Sequence, residues 1–457
     1  MRRLAGLLAA SALAGCNLAP AYRQPPPAIP QSLPSGGVYP QTTPAAAGAS
    51  WRTLIGDDKL RQVIDRGLAQ NRDLRAALAQ VGSARALYGV QRASQLPSVS
   101  AGLTAAYRGG DGASPPPRLF DASIGFSSFE IDLFGRLRNL SKAAFEQYVA
   151  SEAGARSTRI TLVTEIATAY VVYAYDLDVL RIGGETRDIA QRSLELTQSL
   201  HGAGLADRLD VTEAETSLHQ AESDIASART QVAQDRNALE LLVGAPVEDA
   251  LLPTSLDALD AGISAPPAGA SSDVLLQRPD VLQAEARLKG ANANIGAARA
   301  AYFPRISLTA ADGVASTALS SLFSGGNESW SATPAVSQPI FAPSVGSNVA
   351  YAKAQRDLLL AQYEGAVQIA FREVSDALAR QGTIDEQRKA QAALVASSEE
   401  ALQLADQRYR AGIDTFLSTL TVQRTLDAAR RSAAATSLVE LTNRLTLYKV
   451  LGGAPSD

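Results

Sequence analysis

The 457 residues include one cysteine, Cys16, and two histidines, His201 and His219. One thiol excludes an intrachain disulfide framework, and its place near the start keeps it out of a core. The histidines stand far apart, with no cysteine or further histidine at ligand spacing, so no metal site can be read. They support no Ser-His-Asp set either, and surface or tunnel-lining positions are expected for both. Aromatic residues make up 5% of the chain, too few for one thick core. Basic residues do not outnumber acidic ones: 42 stand against 46, for a formal net charge of −4. That excludes the basic stripe needed to neutralise phosphates, and with it nucleic acid as a partner. A phosphate loop is also missing, because the glycines of "GANANIG" (290–296) precede no Lys-Ser/Thr pair. Past the first residues, no apolar run approaches the roughly 18 residues of a membrane-spanning helix. If the mature chain crosses a membrane, it must cross as strands.

Among the 46% hydrophobic residues alanine dominates, a composition suited to closely packed helices. The start has the layout of a secretory signal. Arg2 and Arg3 precede a short apolar run, Leu4 to Leu13, then Ala14, Gly15 and Cys16. Residues 1–15 are read as the signal peptide, cleaved between Gly15 and Cys16. Leu13-Ala14-Gly15-Cys16 resembles the bacterial lipobox, which implies acylation of Cys16 and a covalent lipid as the only attached group. A short signal with an incidental cysteine is the alternative. Asn17, standing where an Asp would retain the protein at the inner membrane, implies by the same resemblance the outer membrane. Residues 16–50 are rich in Pro, Ala, Gly and Ser and form an extended arm.

Proline is absent from 118–245 and again from 344–454. Each such block follows a segment of short alternating strands, and the two halves align. "SQLPSVS" (94–100) matches "AYFPRIS" (301–307), placing Pro97 on Pro304, and Phe134 falls on Phe341 at the same offset. "GAGLADRLDV" (202–211) matches "RAGIDTFLST" (410–419), and "LLVGAP" (241–246) matches "VLGGAP" (450–455), with an offset that drifts by only a residue or two. The chain reads as an internal tandem duplication, with repeats at 51–246 and 247–457.

Each repeat is expected to begin with a helix, the first running from the Asp57-Asp58 caps to Pro97 and the second spanning 279–302. A β-hairpin of period two follows, at 98–133 and at 305–340, with a first turn at 109–117. The return strands are placed at Phe120–Leu133 and Trp330–Ile340. A long helical hairpin then fills 138–243 and 344–452. Heptad seams support it: Ile160, Val163, Ala167, Tyr170, Ala174 and Leu177 in the first, Leu438, Leu441, Leu445 and Tyr448 in the second. Gly202 and Gly204 turn the first hairpin and Gly412 the second. Four strands cannot close a barrel in lipid, where every unpaired backbone group is costly. Either the hairpins are soluble, or several chains pool them in a cyclic oligomer.

"LLQRPDVLQAEARLKGANANIGAARAAYFPRISL" (275–308) resembles a signature of the outer-membrane efflux proteins of the TolC/OprM type, in their lipoprotein branch. "FEIDLFGRLRN" (129–139) resembles that family's strand-to-helix junction, with Phe129 where Trp is common. "AQNRDLRAALAQVGSAR" (69–85) and "DQRYRAGIDTFLSTLTVQR" (406–424) also fit. The fold this implies is mainly α with a membrane β-barrel part. Long coiled-coil-like hairpins form a periplasmic α-barrel, and four strands per chain enter a trimeric 12-stranded barrel. Residues 51–97 and 247–300 would supply an equatorial belt. The implied role is a passive exit duct of a tripartite efflux system, for drugs or toxic compounds. The implied partners are two further copies, a periplasmic adaptor, an inner-membrane pump and outer-membrane lipid. A duct of a type I protein-secretion system shares this architecture, and a structural periplasmic coiled-coil lipoprotein is the reading from another class. Neither is an enzyme.

The hairpin turns would form the entrance. By resemblance, apolar and acidic side chains just after the turn glycine narrow it. Counted from Gly412, that gives Leu417 as the apolar constriction and Thr421 where an aspartate is frequent, so one ring of carboxylates is missing. Asp414 stands nearby, and the first half offers Asp207, Asp210 and Glu213. Each has a local alternative: Asp207 as an N-cap with Asp210 at its third helical position, Asp414 as a cap, Leu417 as a packing leucine. Arg408 and Tyr409 are the residues whose contacts would hold a closed state.

Overall fold

The computed structural model describes residues 17–41, 50–107, 118–266 and 271–454. The signal region with Gly15 and Cys16, the first hairpin turn at 109–117 and the closing Pro455 lie outside the described residues. In chain order the elements are α1 (Trp51–Leu54), α2 (Asp58–Gln70), α3 (Arg72–Ala93), β1 (Val99–Ala106), β2 (Leu119–Glu130), α4 (Arg136–Gly202), α5 (Arg208–Val243), α6 (Asp257–Asp260), α7 (Pro279–Ala300), β3 (Arg305–Ser316), β4 (Glu328–Ser337), α8 (Pro343–Arg410) and α9 (Phe416–Val450). They divide into two compact units, and each repeat contributes to both.

The first unit holds residues up to Pro26, Ala79–Glu152 and Gln283–Gly365. Its centre is one antiparallel sheet in the order β1-β2-β3-β4. Leu103 pairs with Ala122, Ala122 with Val314 and Val314 with Glu328, while Ile124 pairs with both Ala101 and Asp312. Paired residues share a face, so this register sorts the side chains. Val99, Leu103, Phe120, Ile124, Phe126, Leu308, Trp330 and Val336 stand on one face, with Asp312 between Ile124 and Trp330 and Glu328 at the strand end. Ser100, Thr104, Ser123, Thr309 and Ser331 stand on the other with small residues. Leu103, Ile124, Trp330 and Val336 are all more than half exposed. The outer edges of β1 and β4 have no partner strand among the described residues.

Two glycines let β2 and β3 approach. A Cβ on Gly125 would come within 2.2 Å of the Ala310 carbonyl, and one on Gly313 within 2.2 Å of the Ala122 carbonyl. The expected return strand to Leu133 instead ends at Glu130. Between Phe126 and Phe129 the register shifts by one residue, with Ser128 at φ 53. The bulge puts Phe129 on the face of Phe126, and their rings meet edge-on at 6.1 Å. The chain then turns at Gly135, φ 75. Arg136 donates twice to Glu130, at 2.8 and 2.7 Å, and the Arg138 amide donates to Asp132 at 2.9 Å. These bonds explain the acidic and basic residues of "FEIDLFGRLRN". β4 likewise stops at Ser337 rather than Ile340, because its partner β3 begins at Arg305, the residue paired with Ser337.

The arm lies along α7 in this unit. Asn292 donates to the Pro20 carbonyl at 2.7 Å and Arg299 to the Leu18 carbonyl at 3.1 Å. Tyr22 donates to Glu285 at 3.0 Å. Gly296 makes the seat, since a Cβ there would lie 2.7 Å from Ala19.

The second unit holds Pro27–Leu78, Ala153–Leu282 and the chain from Ala366. Its core gathers Trp51, Leu60 and Ile64 against the α4 seam of Ile160, Val163, Ala167, Tyr170 and Ala174, with Leu441, Leu445 and Tyr448 of α9. The helix expected from Asp57 to Pro97 is broken at Asn71. That residue caps α3 by accepting from the Leu74 amide at 2.8 Å, and it donates to the Leu242 carbonyl at 2.9 Å. Gly244 closes α5 at φ 79 against the Gln70 carbonyl. Arg278, 7% exposed, anchors the start of the 275–308 stretch. It pairs with Asp280 at 2.7 Å and Glu373 at 2.8 Å, and donates to the Val450 carbonyl at 2.9 Å. The Gly183-Gly184 pair does not interrupt α4. One window of α4 is apolar enough for a membrane span by length and composition, against expectation. In that window 56% of the residues are buried, so its apolarity serves helix packing.

Candidate functional site

α4 and α8, of 67 and 68 residues, are each about 100 Å long at 1.5 Å per residue. Each ends in a tight turn that returns the chain into α5 or α9, and the sequence places its candidate constriction residues at these two turns. Both are built on one glycine in the left-handed region, Gly204 at φ 75 and Gly412 at φ 68. Their backbone closures correspond: Leu205 N–H donates to the Leu200 carbonyl at 2.8 Å, and Ile413 N–H to the Arg408 carbonyl at 2.9 Å.

Beyond that backbone the turns differ. At the first, Asp207 is the N-cap of α5 and accepts from the Asp210 amide at 2.9 Å. Asp210 in turn accepts from the Asp207 amide at 3.3 Å, a reciprocal capping box. Two of the three first-half acids are therefore committed to the helix start. Glu213, half-buried, is in no ion pair among the described residues. His201 Nδ1 donates to the Ala206 carbonyl at 2.8 Å, and His219 meets Glu222 at 3.1 Å. No group of metal-ligating residues occurs among the described residues.

At the second turn Thr415 occupies the N-cap position without a side-chain bond. Asp414 does not cap. Its carboxylate takes both prongs of Arg408, Nε at 2.6 Å and Nη2 at 2.9 Å. That bond to Arg408 holds the Asp414 carboxyl below the ordinary 3.8. Tyr409 is buried, its ring 5.6 Å from that of the fully buried Phe416. Its hydroxyl donates to Thr197 of α4 at 3.1 Å, while Thr197 donates onward to the Ser193 carbonyl at 2.9 Å. Burial, above all, raises the Tyr409 phenol. Leu417 is 57% exposed in the single chain, and the Thr421 hydroxyl donates back to the Leu417 carbonyl at 2.8 Å.

Three further residues join the exposed apolar set: Leu205, Leu209 and Ile413. The repeat carried the signal for them. With Gly204 laid on Gly412, Leu205 falls on Ile413, Leu209 on Leu417 and Glu213 on Thr421. Both turns thus present an apolar pair, and the carboxylate missing at 421 has its counterpart in the first half.

A sheet with one largely apolar face and two edges open among the described residues, in a chain with paired helices of this length, fits the class of outer-membrane channel proteins. The comparisons agree. The family model described as outer membrane efflux protein matches twice, over residues 63–245 and 270–453, once in each repeat. The chain belongs to this family. It is 40% identical over 452 residues to a toluene efflux pump outer membrane protein, TtgC, of Pseudomonas putida. It is equally similar to ArpC of the same species, an antibiotic efflux pump outer membrane protein. Each alignment covers 96% of this chain and 93% of the relative. Among solved structures, the open-state outer membrane channel MtrE of Neisseria gonorrhoeae superposes with a TM-score of 0.83 at 33% identity, covering 96% of this chain and 98% of that one.

Proposed function

We propose that the protein is a passive exit duct in which three copies join their sheets into one twelve-stranded barrel. Its helical hairpins form a periplasmic tunnel that receives small molecules from an inner-membrane pump through a periplasmic adaptor. One observation carries this reading: among the described residues the sheet has one largely apolar, exposed face and two edges without a partner strand. In lipid such edges must be closed, and four strands are too few to close on themselves. Pairing β4 of one copy with β1 of the next satisfies both edges and puts the apolar face toward lipid and the serine-rich face inside. The efflux of toluene or antibiotics named for the relatives supports small apolar solutes as cargo.

In the same reading the two turns are the tunnel entrance. Leu417, with Leu209, Leu205 and Ile413, forms its apolar collar, and Glu213 supplies the acid that Thr421 lacks. Asp207, Asp210 and Asp414 shape the turns that carry the collar, and Arg408 and Tyr409 hold the closed arrangement through Asp414 and Thr197. Carboxylates at a pore mouth favour cations. Cys16 is the lipid attachment. Arg299 and Asn292 of α7 seat the arm through the Leu18 and Pro20 carbonyls, a few residues before β3 begins.

Native mass measurement of the full chain extracted in detergent tests the assembly. Three copies are expected; monomers or dimers alone would refute it.

A further inference from the structure

Within one chain, the junction where β2 gives way to α4 is locked against the junction where α7 gives way to β3. Phe134 lays its ring on that of Phe303, with centroids 4.7 Å apart and planes 19° from parallel. Beside them the Ile131 amide donates to the Ile306 carbonyl at 2.9 Å, carrying the ladder past the end of β2.

At the offset that sets Pro97 on Pro304, every member of this contact has a counterpart. Phe341 answers to Phe134 and Leu96 to Phe303, while Gln338 and Val99 answer to Ile131 and Ile306. The counterparts stand at opposite edges of the sheet, Phe341 after β4 and Leu96 before β1. Both are open to solvent: Phe341 is 88% exposed and Leu96 69%, and Ile340 beside Phe341 is 95% exposed.

The helices leading into the two strands divide in the same way. α7 is buried through much of its length, whereas α3 is largely exposed. Gly296 marks a close approach on α7, since a Cβ there would lie 2.6 Å from the Asn139 side chain of α4. Its counterpart on α3 is Gly89, where a Cβ would meet nothing within 4 Å. Glycine inside a helix lowers stability relative to alanine, and no contact within the chain requires it at 89. The counterpart of Asn139 is Gly346 in the first turn of α8, so the surfaces left bare on α3 and α8 carry one glycine each.

We infer that Ile340 and Phe341 of one copy pack on Leu96 of the next, with the first turn of α8 against α3 at Gly89, as Phe134 packs on Phe303 within the chain. This rests on the joined-sheet reading above and adds the side chains that fasten one copy to the next at the base of the strands. The occupant of the bare surface is a second copy because the chain already contains the same contact, made by the corresponding residues of its own repeats. One edge of each copy supplies the aromatic side and the other edge the receiving side. Such a head-to-tail contact closes into a ring, and it takes apolar side chains out of water.

Paired cysteines test it: Leu96→Cys with Phe341→Cys, in a Cys16→Ser background, in the full chain in membranes treated with a short bis-maleimide. After denaturation the double variant is expected to run as covalent dimers and trimers, and either single variant as one chain. Both replaced side chains are exposed in the single chain, so each copy keeps its fold. Single chains from the double variant, in a sample whose native mass is that of a trimer, would overturn this contact and leave the twelve-stranded barrel standing. Native masses of one or two chains would overturn both. In parallel, Phe341→Ala should lower the temperature at which trimers dissociate in SDS, and adding Leu96→Ala should lower it little further, because both remove one contact. Losses that add in full would overturn the pairing.

Discussion

The two hairpin turns share a backbone and differ in what holds it. Gly204 and Gly412 make the same left-handed bend, and both turns expose an apolar pair. The first is then fixed locally by the Asp207–Asp210 capping box. The second is fixed by packing, with Phe416 and Tyr409 buried and Arg408 clasping Asp414. Duplication has kept what the backbone requires and the apolar residues that face outward. The polar fastenings have diverged. A fastening inside one turn commits nothing else, whereas Tyr409 ties its turn to Thr197 of the other hairpin.

Removing the packed ring should separate the turns most. Phe416→Ala is expected to cost about 3 kcal/mol in denaturant unfolding, while Arg208→Ala at the equivalent exposed position should change stability by less than about 0.5 kcal/mol. Equal losses would mean that the second turn is not the packed one. Capping comes next. Asp207→Ala should cost about 1 kcal/mol and loosen the start of α5 in hydrogen exchange, and Thr415→Ala, which removes no cap bond, should leave α9 unchanged. The smallest effect is expected at Arg408, because its pair is solvent-exposed. Arg408→Ala should weaken the second turn only at low salt and only where Asp414 is ionised. Asp414 is held below the ordinary 3.8, so this contribution is present above that value and disappears as pH falls through the folded-state pKa. A wild-type advantage that persists in acid would contradict the Asp414 partnership.

Much of the fold was legible because its signals are periodic. Alternation marked the four strands, the heptad seams marked α4 and α9, and the matched Pro97–Pro304 and Phe134–Phe341 pairs marked the duplication. What escaped depends on single atoms. The break at Asn71 rests on one side chain that caps α3 while bonding Leu242, and the end of β2 rests on a bulge at Ser128. Neither has a periodic trace. At the turns, residue types did not reveal what each side chain holds. Asp207 and Asp210 proved to be engaged in capping, and Asp414 in pairing with Arg408. Leu205, Leu209 and Ile413 could have been found by carrying the repeat alignment residue by residue through the turns.

The central claim is that the sheet separates lipid from a water-filled lumen. Spin labels on single cysteines along β1, in a Cys16→Ser background and reconstituted in bilayers, test it most directly. Labels at Val99, Ala101 and Leu103 should contact dissolved oxygen in the lipid, and those at Ser100, Gly102 and Thr104 a water-soluble relaxant, alternating residue by residue. Equal access of the water-soluble relaxant to both sets would contradict a membrane-spanning sheet.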